Sequence, residues 1–387
     1  MRAKSELENN TNPADESVII INPTQLSQEQ IPFLIDFLEG DDNPEVFLKD
    51  TVYTHESIRF KLTHELNWRS GKDGISECFE VMRDGQAASG KFGRIDLIEG
   101  KLVFNERGLE FIPISLKPHK ERVRKFILFK QEKEEAIWRK SINEEYKRTK
   151  QAGHLKVRKP VFFRDHDGSL GAYFIIKKAP GITLHDLLYG TPQEPLDTAT
   201  RKAISLAILD AYIEQVKRRG LVHNDISLRN IMVDLSNPKQ PIVTFIDFAF
   251  AKKIKVNDSG SLIRGTPVYM APERFEGDGS STASDVFALG HILAEIWGEQ
   301  RMIPNPKLGI KGVYLESKKG LFDSDLIHLE ESELSENEKE SIMYVLLPTL
   351  APKPELRPSP EEIKEVFTRD YEYLEEPVDV HSKNSLP

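Results

Sequence analysis

The sequence predicts an α+β protein, with strands concentrated before residue 176 and helices after residue 183. In the first part, Cys78–Met82 and Ala172–Ile176 show the alternation of apolar side chains that is typical of half-buried strands. In the second part, Thr200–Arg219 has the spacing of a long amphipathic helix, and Gly220 follows it, as glycine commonly follows a helix. The chain therefore divides into a strand-rich part and a helical part.

Composition excludes several classes of protein. The 387 residues carry a formal net charge of -9, so charge gives no support to nucleic-acid binding. No apolar run reaches the roughly 18 residues that a membrane span needs, and Met1–Asn12 lacks the apolar segment of a signal peptide. Cys78 is the only cysteine, which excludes an intramolecular disulfide and a multi-cysteine zinc site. We expect a cytoplasmic monomer with no nucleic-acid partner and no membrane span.

The N-terminal residues carry no recognisable functional motif. Residues 1–16 are polar and aperiodic, which predicts disorder. Within residues 17–75, the apolar run Val18–Ile21 is typical of a short buried strand, and Gln28–Leu38 has a helix pattern that Ser27 could cap. We interpret this segment as an extension packed on the strand-rich part. A separate recognition module is the alternative, and the sequence does not decide between them.

A glycine-containing turn follows the strand predicted at Cys78–Met82. Gly90 and Gly93 lie in this turn, and glycine there would let backbone amides approach a bound phosphate because no Cβ blocks them. An ordinary hairpin turn is the alternative. Residues 101–124 are interpreted as an insertion that could form an extra hairpin, before an apolar strand at Phe126–Lys130.

One helix of the strand-rich part is expected to point an acid inward. Glu132–Ala152 is rich in strong helix formers, and Glu145 lies on its less polar face, with Glu144 as the nearest rival. That face is defined by residues at three-to-four spacing, namely Ile142, Glu145, Thr149 and Ala152.

Three oxygen-bearing side chains are grouped on two neighbouring loops of the helical part. Asp225 and Asn230 lie on a short loop between an apolar turn and an apolar strand, and Asp247 follows the next strand. This arrangement suits phosphoryl transfer, in which one acid orients the attacking hydroxyl while the amide and the other acid hold Mg²⁺ against the phosphates. The two loops therefore indicate a phosphotransferase.

Both loops resemble those of the protein kinase superfamily, as His223–Asn230 resembles its catalytic loop and Asp247–Ala249 its metal-binding loop. Gly265–Glu273 resembles the end of a protein kinase activation segment, where a peptide substrate docks. The resemblance implies a bilobal protein kinase-like fold, with a small β-rich N-lobe and a larger helical C-lobe. It also implies ATP and Mg²⁺ as cofactors and serine or threonine of a protein substrate as the acceptor. A catalytically impaired pseudokinase serving as a scaffold and a small-molecule phosphotransferase are the alternatives.

The resemblance also sets the expected segment bounds and location. Glutamates near the C-terminus resemble the export signals of kinases that intracellular bacteria inject into hosts, so delivery to a host cytosol is an alternative to a cytoplasmic location. The expected segments are a disordered N-terminus (1–16), an extension (17–75), the N-lobe (76–176), a hinge (177–181), the C-lobe (182–370) and a polar tail (371–387).

Single residues receive roles from the same resemblance. Asp225 would orient the substrate hydroxyl and accept its proton, while Asn230 and Asp247 would bind Mg²⁺. Lys130 would hold the α- and β-phosphates and pair with the helical glutamate. Lys125 competes for that role, but Lys130 is preferred because Lys125 is expected to start the strand whereas Lys130 ends an apolar run.

The remaining expected site residues fall into three groups. The nucleotide site would also include Ala88, which replaces the first glycine of the family pattern, and Gly90, Gly93, Ile95, Ile176, Lys177, Ala179 and Met232. The substrate platform would include Thr266. Structural support would come from His223, Asp285 and the buried pair Glu273 and Arg357.

Three departures from the family pattern affect the expected activity. Asn224 replaces an arginine that grips a phosphorylated activation loop, which predicts activity independent of that phosphorylation. Ser227 replaces a lysine near the γ-phosphate, but Arg229 matches the arginine that tyrosine kinases use instead and could compensate. Ala249 replaces a glycine, and alanine disfavours positive φ. Serine or threonine remains the favoured acceptor because Gly265–Tyr269 resembles serine/threonine kinases.

Overall fold

The structure is a computed structural model, and it describes most of the chain outside its two ends. The expected disordered N-terminus and polar tail, the glycine-turn residues 91–92 and Lys130 lie outside the described residues. Those described are 18–40, 46–49, 51–70, 77–83, 88–90, 93–106, 108–114, 121–129, 134–164, 169–190, 196–254, 264–277, 279–297, 309–318 and 335–368.

The chain forms two compact units. The N-terminal unit comprises Met1–Trp138 and Arg158–Lys178, and the C-terminal unit comprises Arg139–Val157 and Ala179–Pro387. Residues 139–157, which the sequence assigned to the N-lobe, therefore cluster with the helical part. Among the described residues, no helix has the length and apolar character needed to cross a lipid bilayer.

The N-terminal unit is mostly β-structure. Its elements are β1 (Ile19–Ile21), α1 (Gln30–Leu38), β2 (Val46–Phe47), β3 (Tyr53–His55), β4 (Ile58–Leu62), β5 (Leu66–Ser70), β6 (Glu77–Met82), β7 (Ala88–Gly90), β8 (Gly93–Asn105), β9 (Gly108–Pro113), β10 (Arg122–Phe129), the start of α2 (Glu135–Ala152), β11 (Val161–Arg164) and β12 (Leu170–Lys177).

A nine-stranded sheet is the largest element of the N-terminal unit. Its order is β11-β12-β10-β8-β6-β5-β2, and β7 and β9 also pair with β8. Strands β1, β4 and β3 form a second, small sheet. In the large sheet β10 is antiparallel to β12, so that Val123 lies opposite Ile176 and Lys125 lies opposite Phe174. Strand β10 is therefore an interior strand, covered on both edges.

The extension shares its core with the sheet. Phe47 and Phe60 are fully buried and belong to one apolar cluster with Phe79 of β6 and Leu102 of β8. The ring of Phe37 on α1 contacts Phe60 edge-on, with 4.8 Å between ring centroids. Since β5 also pairs along β6, the described residues of the extension and the sheet share one core within this unit.

A buried charge network links the extension to β10. The Arg124 side chain is fully buried, and its Nε donates to Asp96 at 2.8 Å while Nη1 donates to Asn67 at 2.8 Å. Nη2 also bonds Glu65. A buried guanidinium is tolerated only where carboxylates and amides satisfy it, and here two of its three partners come from the extension.

Several predicted elements differ in detail from the structure. The strand predicted at Val18–Ile21 is present as β1, but Ile19 and Ile20 are 45% and 57% exposed, so it is not a buried strand. Helix α1 begins at Gln30, whose N–H donates to Ser27 Oγ at 3.2 Å. The hairpin expected within 101–124 exists, but its first strand is the continuation of β8.

The C-terminal unit is mostly helical around one large apolar core. Helix α6 is buried from Ser284 to Ile296, and Ser281 caps it through the N–H of Ser284. The elements are the rest of α2, β13 (Ile182–Thr183), α3 (Leu184–Tyr189), α4 (Thr198–Gln215), β14 (Leu221–Val222), β15 (Ile231–Asp234), β16 (Ile242–Phe245), β17 (Lys252–Lys253), α5 (Pro272–Glu276), α6 (Thr282–Ile296), α7 (Gly309–Lys318), α8 (Glu336–Thr349) and α9 (Pro360–Thr368).

Candidate active site

Asp225 is held from two sides in the loop between β14 and β15. Its Oδ1 accepts hydrogen bonds from the Thr266 N–H at 2.8 Å and the Thr266 hydroxyl at 2.7 Å. Its Oδ2 accepts a bond from Asn230 Nδ2 at 3.1 Å, and the same amide nitrogen donates to the Asp225 carbonyl at 2.8 Å. The carboxylate is therefore fixed between the catalytic loop and the Gly265–Glu273 segment.

Asp247 lies beside this pair on the loop after β16. The Ile246 N–H donates to the Asn230 carbonyl at 2.9 Å, which joins the two loops through their backbones. The Asp247 charge contributes to the raised pKa of Asp225, after the larger effect of burial. The structure thus brings together the three oxygen-bearing side chains that the sequence singled out.

The turn at Asp247 also accommodates Ala249 without an unusual backbone. The left-handed φ of this turn falls on Asp247, at 64°, and the Ala249 N–H donates to Asp247 Oδ1 at 3.3 Å. Alanine at position 249 therefore needs no positive φ here.

Asp285 supports the catalytic loop from beneath. It is buried at the start of α6 and accepts the backbone N–H of His223 at 2.6 Å and of Asn224 at 2.9 Å. The Tyr212 hydroxyl donates to it at 3.0 Å. Burial raises the pKa of Asp285 to about 6, against the opposing effect of these three bonds. Asp285 therefore positions the loop and does not reach the reacting atoms.

His223 is a neutral scaffold residue in this geometry. It is fully buried, and its Nε2 lies 3.1 Å from the Ile246 carbonyl, to which it donates. Its ring packs on Phe248, with 4.9 Å between centroids. Burial lowers the pKa of His223 to about 4, so it carries no charge near neutral pH.

The Asn224 side chain makes a fixed contact where the family pattern has arginine. The residue adopts a left-handed φ of 65°, and its Nδ2 donates to the Phe250 carbonyl at 3.0 Å. The amide therefore joins the catalytic loop to the start of the activation segment without a phosphate. Activity independent of activation-loop phosphorylation stays a prediction.

Glu273 and Arg357 form a buried two-pronged ion pair. Nη1 and Nη2 of Arg357 each donate to one Glu273 oxygen at 2.7 Å, and the guanidinium lies over the Phe287 ring at 5.0 Å. Removing either partner would leave the other charge buried and unpaired. The pair anchors α5, directly after the segment that holds Thr266.

The structure contradicts the expectation that Lys125 starts its strand, on which the choice of Lys130 as the phosphate-binding lysine depended. Strand β10 begins at Arg122, so Lys125 does not start it; this residue lies mid-strand, 6% exposed, with its ammonium 6.0 Å from the Phe174 ring centroid. Lys130 lies outside the described residues. The sequence had favoured Lys130 because it ends an apolar run, whereas Lys125 was expected to start the strand.

Helix α2 buries the acid that its spacing predicted. Glu145 is buried, together with Ile142, Thr149 and Ala152. Its rival Glu144 faces solvent and pairs with Lys147 at 2.8 Å and Arg148 at 2.9 Å. Glu145 is therefore the inward glutamate.

The glycine turn is a hairpin between β7 and β8. Gly90 lies opposite Gly93, and Ala88 lies opposite Ile95. Gly93 has a φ of 143°, and a Cβ there would come within 2.5 Å of the Phe126 carbonyl. The sequence explained this glycine by approach to a phosphate; the structure adds a packing reason, because the hairpin crosses close to β10.

The other expected nucleotide-site residues lie at the ends of strands or just beyond them. Ile176 and Lys177 end β12, where Lys177 lies opposite Arg122. In the C-terminal unit, Ala179 is buried, and Met232 lies on β15 opposite Thr183.

The pH dependence of the proposed proton acceptor follows from its burial. Burial raises the pKa of Asp225 to about 6, and only the ionised carboxylate accepts a proton. We therefore expect kcat/KM for phosphotransfer to fall about tenfold per pH unit below about pH 6. Thr266→Val removes a bond to the ionised form, so it should move this acidic limb to higher pH. If the acidic limb of the pH profile has its midpoint below pH 5 in both the wild type and Thr266→Val, Asp225 is not the proton acceptor.

This fold and this group of side chains define a protein kinase domain. Residues 115–368 match the family model described as "Protein kinase domain", which is more than half of the 387-residue chain. The chain therefore belongs to the protein kinase family.

The similar curated proteins are also kinases, and the chain matches only part of each. Serine/threonine-protein kinase PknB of Mycobacterium tuberculosis is 31% identical over 133 residues, which cover 32% of this chain and 19% of that protein. Serine/threonine-protein kinase pkn3 of Myxococcus xanthus is 29% identical over 141 residues, covering 35% and 25%. The "Dual serine/threonine and tyrosine protein kinase" of Gallus gallus is 36% identical over 107 residues, covering 28% and 11%. The matched part is thus a quarter or less of each relative.

Proposed function

We propose that this protein transfers the γ-phosphate of ATP to serine or threonine hydroxyls of protein substrates, with Mg²⁺ bound at the site. The observation that carries the proposal is the Asp225 carboxylate, held between Asn230 and Thr266 with Asp247 beside it. A general base must be fixed within hydrogen-bond reach of the hydroxyl that it serves. Two bonds to Oδ1 and one to Oδ2 supply that orientation.

The donor set fits a magnesium ion. Asn230 uses its Nδ2 for Asp225, and no hydrogen bond from the described residues reaches its Oδ1, which is left for a cation. Mg²⁺ prefers carboxylate and carbonyl oxygens and binds through one or two protein ligands plus phosphates. Asn230 and Asp247 would hold the metal, which would neutralise charge on the phosphates.

Lys125 is proposed as the phosphate-binding lysine in place of Lys130. It lies two residues after Val123, on the same face of β10, and Val123 lies opposite Ile176 near the end of β12. We expect Lys125→Met to raise the KM for ATP and lower kcat by about 100-fold or more, since it removes an electrostatic contact to the phosphates. Lys130→Met is the matched control and should change both constants less than threefold. The reverse result would restore Lys130 and exclude Lys125.

The acceptor is inferred from the contact between Thr266 and Asp225 and from the similarity to serine/threonine-protein kinases. A phosphotransfer assay with peptide and generic protein substrates, followed by mass-spectrometric mapping of the sites, tests activity and acceptor together. Phosphate on serine and threonine is the expected result. Nucleotide binding without any transfer would favour the pseudokinase alternative, and transfer only to sugars, choline or aminoglycosides would favour a small-molecule phosphotransferase.

A further inference from the structure

The catalytic loop presents one cation between Asp225 and Asn230. Arg229 is exposed in the 3-10 turn Leu228–Asn230, directly before the proposed metal ligand. Within the described residues it forms no salt bridge, and its one hydrogen bond goes to a histidine. It lies four residues after Asp225 in the same loop.

His185 on α3 holds the guanidinium in place without neutralising it. Arg229 Nη2 lies 2.9 Å from His185 Nε2, and arginine has only donors, so Nε2 must accept. The ring proton then sits on Nδ1, which lies 3.2 Å from Asp186 Oδ1. His185 is therefore neutral in this arrangement. The Asp186 carboxylate accepts the Nδ1–H of His185 and also forms a side-chain hydrogen bond with Thr183.

Arg229 also lies near the substrate platform. Its charge acts on Tyr269, three residues after Thr266: burial and Glu295 raise the pKa of Tyr269, and Arg229 opposes that rise. The guanidinium is thus within electrostatic reach of the segment on which a peptide would lie.

Among the described residues, the carboxylate that is bonded to Tyr269 also accepts a second hydroxyl group. Glu295 on α6 accepts the hydroxyl of Tyr189 at 2.8 Å and that of Tyr269 at 2.9 Å. Burial raises the pKa of Glu295 to about 7, which reduces its negative charge near neutral pH. Of the two groups Glu295 and Arg229, Arg229 is the exposed one. The exposed Asp186 carboxylate lies within reach of the same charge, because its pKa is lowered by hydrogen bonds with Thr183 and His185 and also by Arg229.

We propose that Arg229 makes the enzyme selective for substrates with an anionic side chain close to the acceptor hydroxyl. This inference rests on the proposed function. A guanidinium binds a carboxylate or a phosphate through two parallel hydrogen bonds, so glutamate, aspartate and a phosphorylated residue all suit it. His185 is then a positioning residue, because it fixes the direction of the guanidinium.

The test uses the full-length protein and peptides with one serine in a neutral background. One glutamate, lysine or phosphoserine is placed at each position from three before to three after the acceptor. For the best position, kcat/KM of the glutamate peptide should exceed that of the neutral peptide by about three- to fivefold, mainly through KM, and that of the phosphoserine peptide by more. The preference should shrink at high salt.

A charge reversal gives the decisive comparison. Arg229→Glu should make the lysine peptide the better substrate at the same position, whereas a residue that is merely structural, or that serves only the γ-phosphate, would change all peptides alike. Arg218→Glu is the matched control. Arg218 is exposed, follows α4 and pairs with Glu214 of that helix, so this variant should keep the wild-type preference. His185→Leu should weaken the preference without reversing it.

The failure of this inference differs from the failure of the proposed function. A wild-type preference for lysine peptides, with loss of that preference in Glu295→Gln, would overturn the role of Arg229. Equal rates for all peptides would also overturn it. Absence of transfer to every peptide and also to casein and histone would instead contradict the proposed function.

Discussion

Replacing Asp225 with alanine is expected to lower kcat about 1,000-fold while changing the affinity for ATP and Mg²⁺ little. A positioned general base contributes roughly 10²- to 10⁴-fold to a reaction, and the variant also loses the anchor for the substrate hydroxyl. The proposed metal ligands Asn230 and Asp247 remain. Phosphotransfer measured with ³²P-labelled ATP, beside nucleotide affinity from calorimetry, separates the two effects.

Two further variants sharpen this experiment. Asp234→Ala removes a surface carboxylate at the end of β15, whose bonds go to Ser236, and should leave kcat unchanged. Asp225→Asn can keep the bond from Thr266 only by turning its NH₂ group toward the NH₂ group of Asn230. We therefore expect it to be as inactive as the alanine variant. If transfer survives in Asp225→Ala, another residue orients the hydroxyl.

Replacing Arg124 with alanine is expected to destabilise the N-terminal unit by about 3 kcal/mol, the lower end of the usual cost of breaking a buried ion pair. Glu65 and Asp96, which are 7% and 4% exposed, would lose the buried guanidinium but would still pair with the partly exposed Arg94. The neighbouring Lys125 lies on the same strand, so the KM for ATP should rise as well. Arg218→Ala, at a surface pair, should change stability by less than about 1 kcal/mol.

Unfolding in urea can be assigned to each unit by fluorescence. Trp68 and Trp138 lie in the N-terminal unit and Trp297 in the C-terminal unit, so a Trp297→Phe background reports the first unit alone. The Arg124→Ala transition should then move to lower urea with an unchanged slope. An unchanged midpoint would mean that the network contributes nothing to stability.

Local patterns could group the proposed catalytic residues because these residues are close in sequence. Asp225, Asn230 and Asp247 fall within 23 positions, and the helix period predicted that Glu145 lies on the inward face. Such patterns depend on the backbone geometry of one or two elements, which sequence spacing reports directly.

Contacts between residues that are far apart in the sequence could not be predicted from local patterns. The partners of Arg124 lie 28, 57 and 59 positions away along the chain, so nothing near Arg124 shows that its charge is satisfied inside the sheet. The strand was predicted at the apolar run Phe126–Lys130, and Lys130 was preferred because it ends that run, whereas β10 begins at Arg122. The pairing of β5 with β6 was missed for the same reason, because strand partners carry no short-range signature.

Because β10 lies inside the sheet, the segment that matches the kinase family is shorter than the segment needed to complete the fold. The family match starts at residue 115, yet β8, which covers one edge of β10, ends at Asn105. A fragment cut at the family boundary would expose the backbone amides of β10 along that edge, and such edges invite pairing with other chains. Recombinant work on the catalytic domain alone must therefore retain the preceding strands to remain soluble.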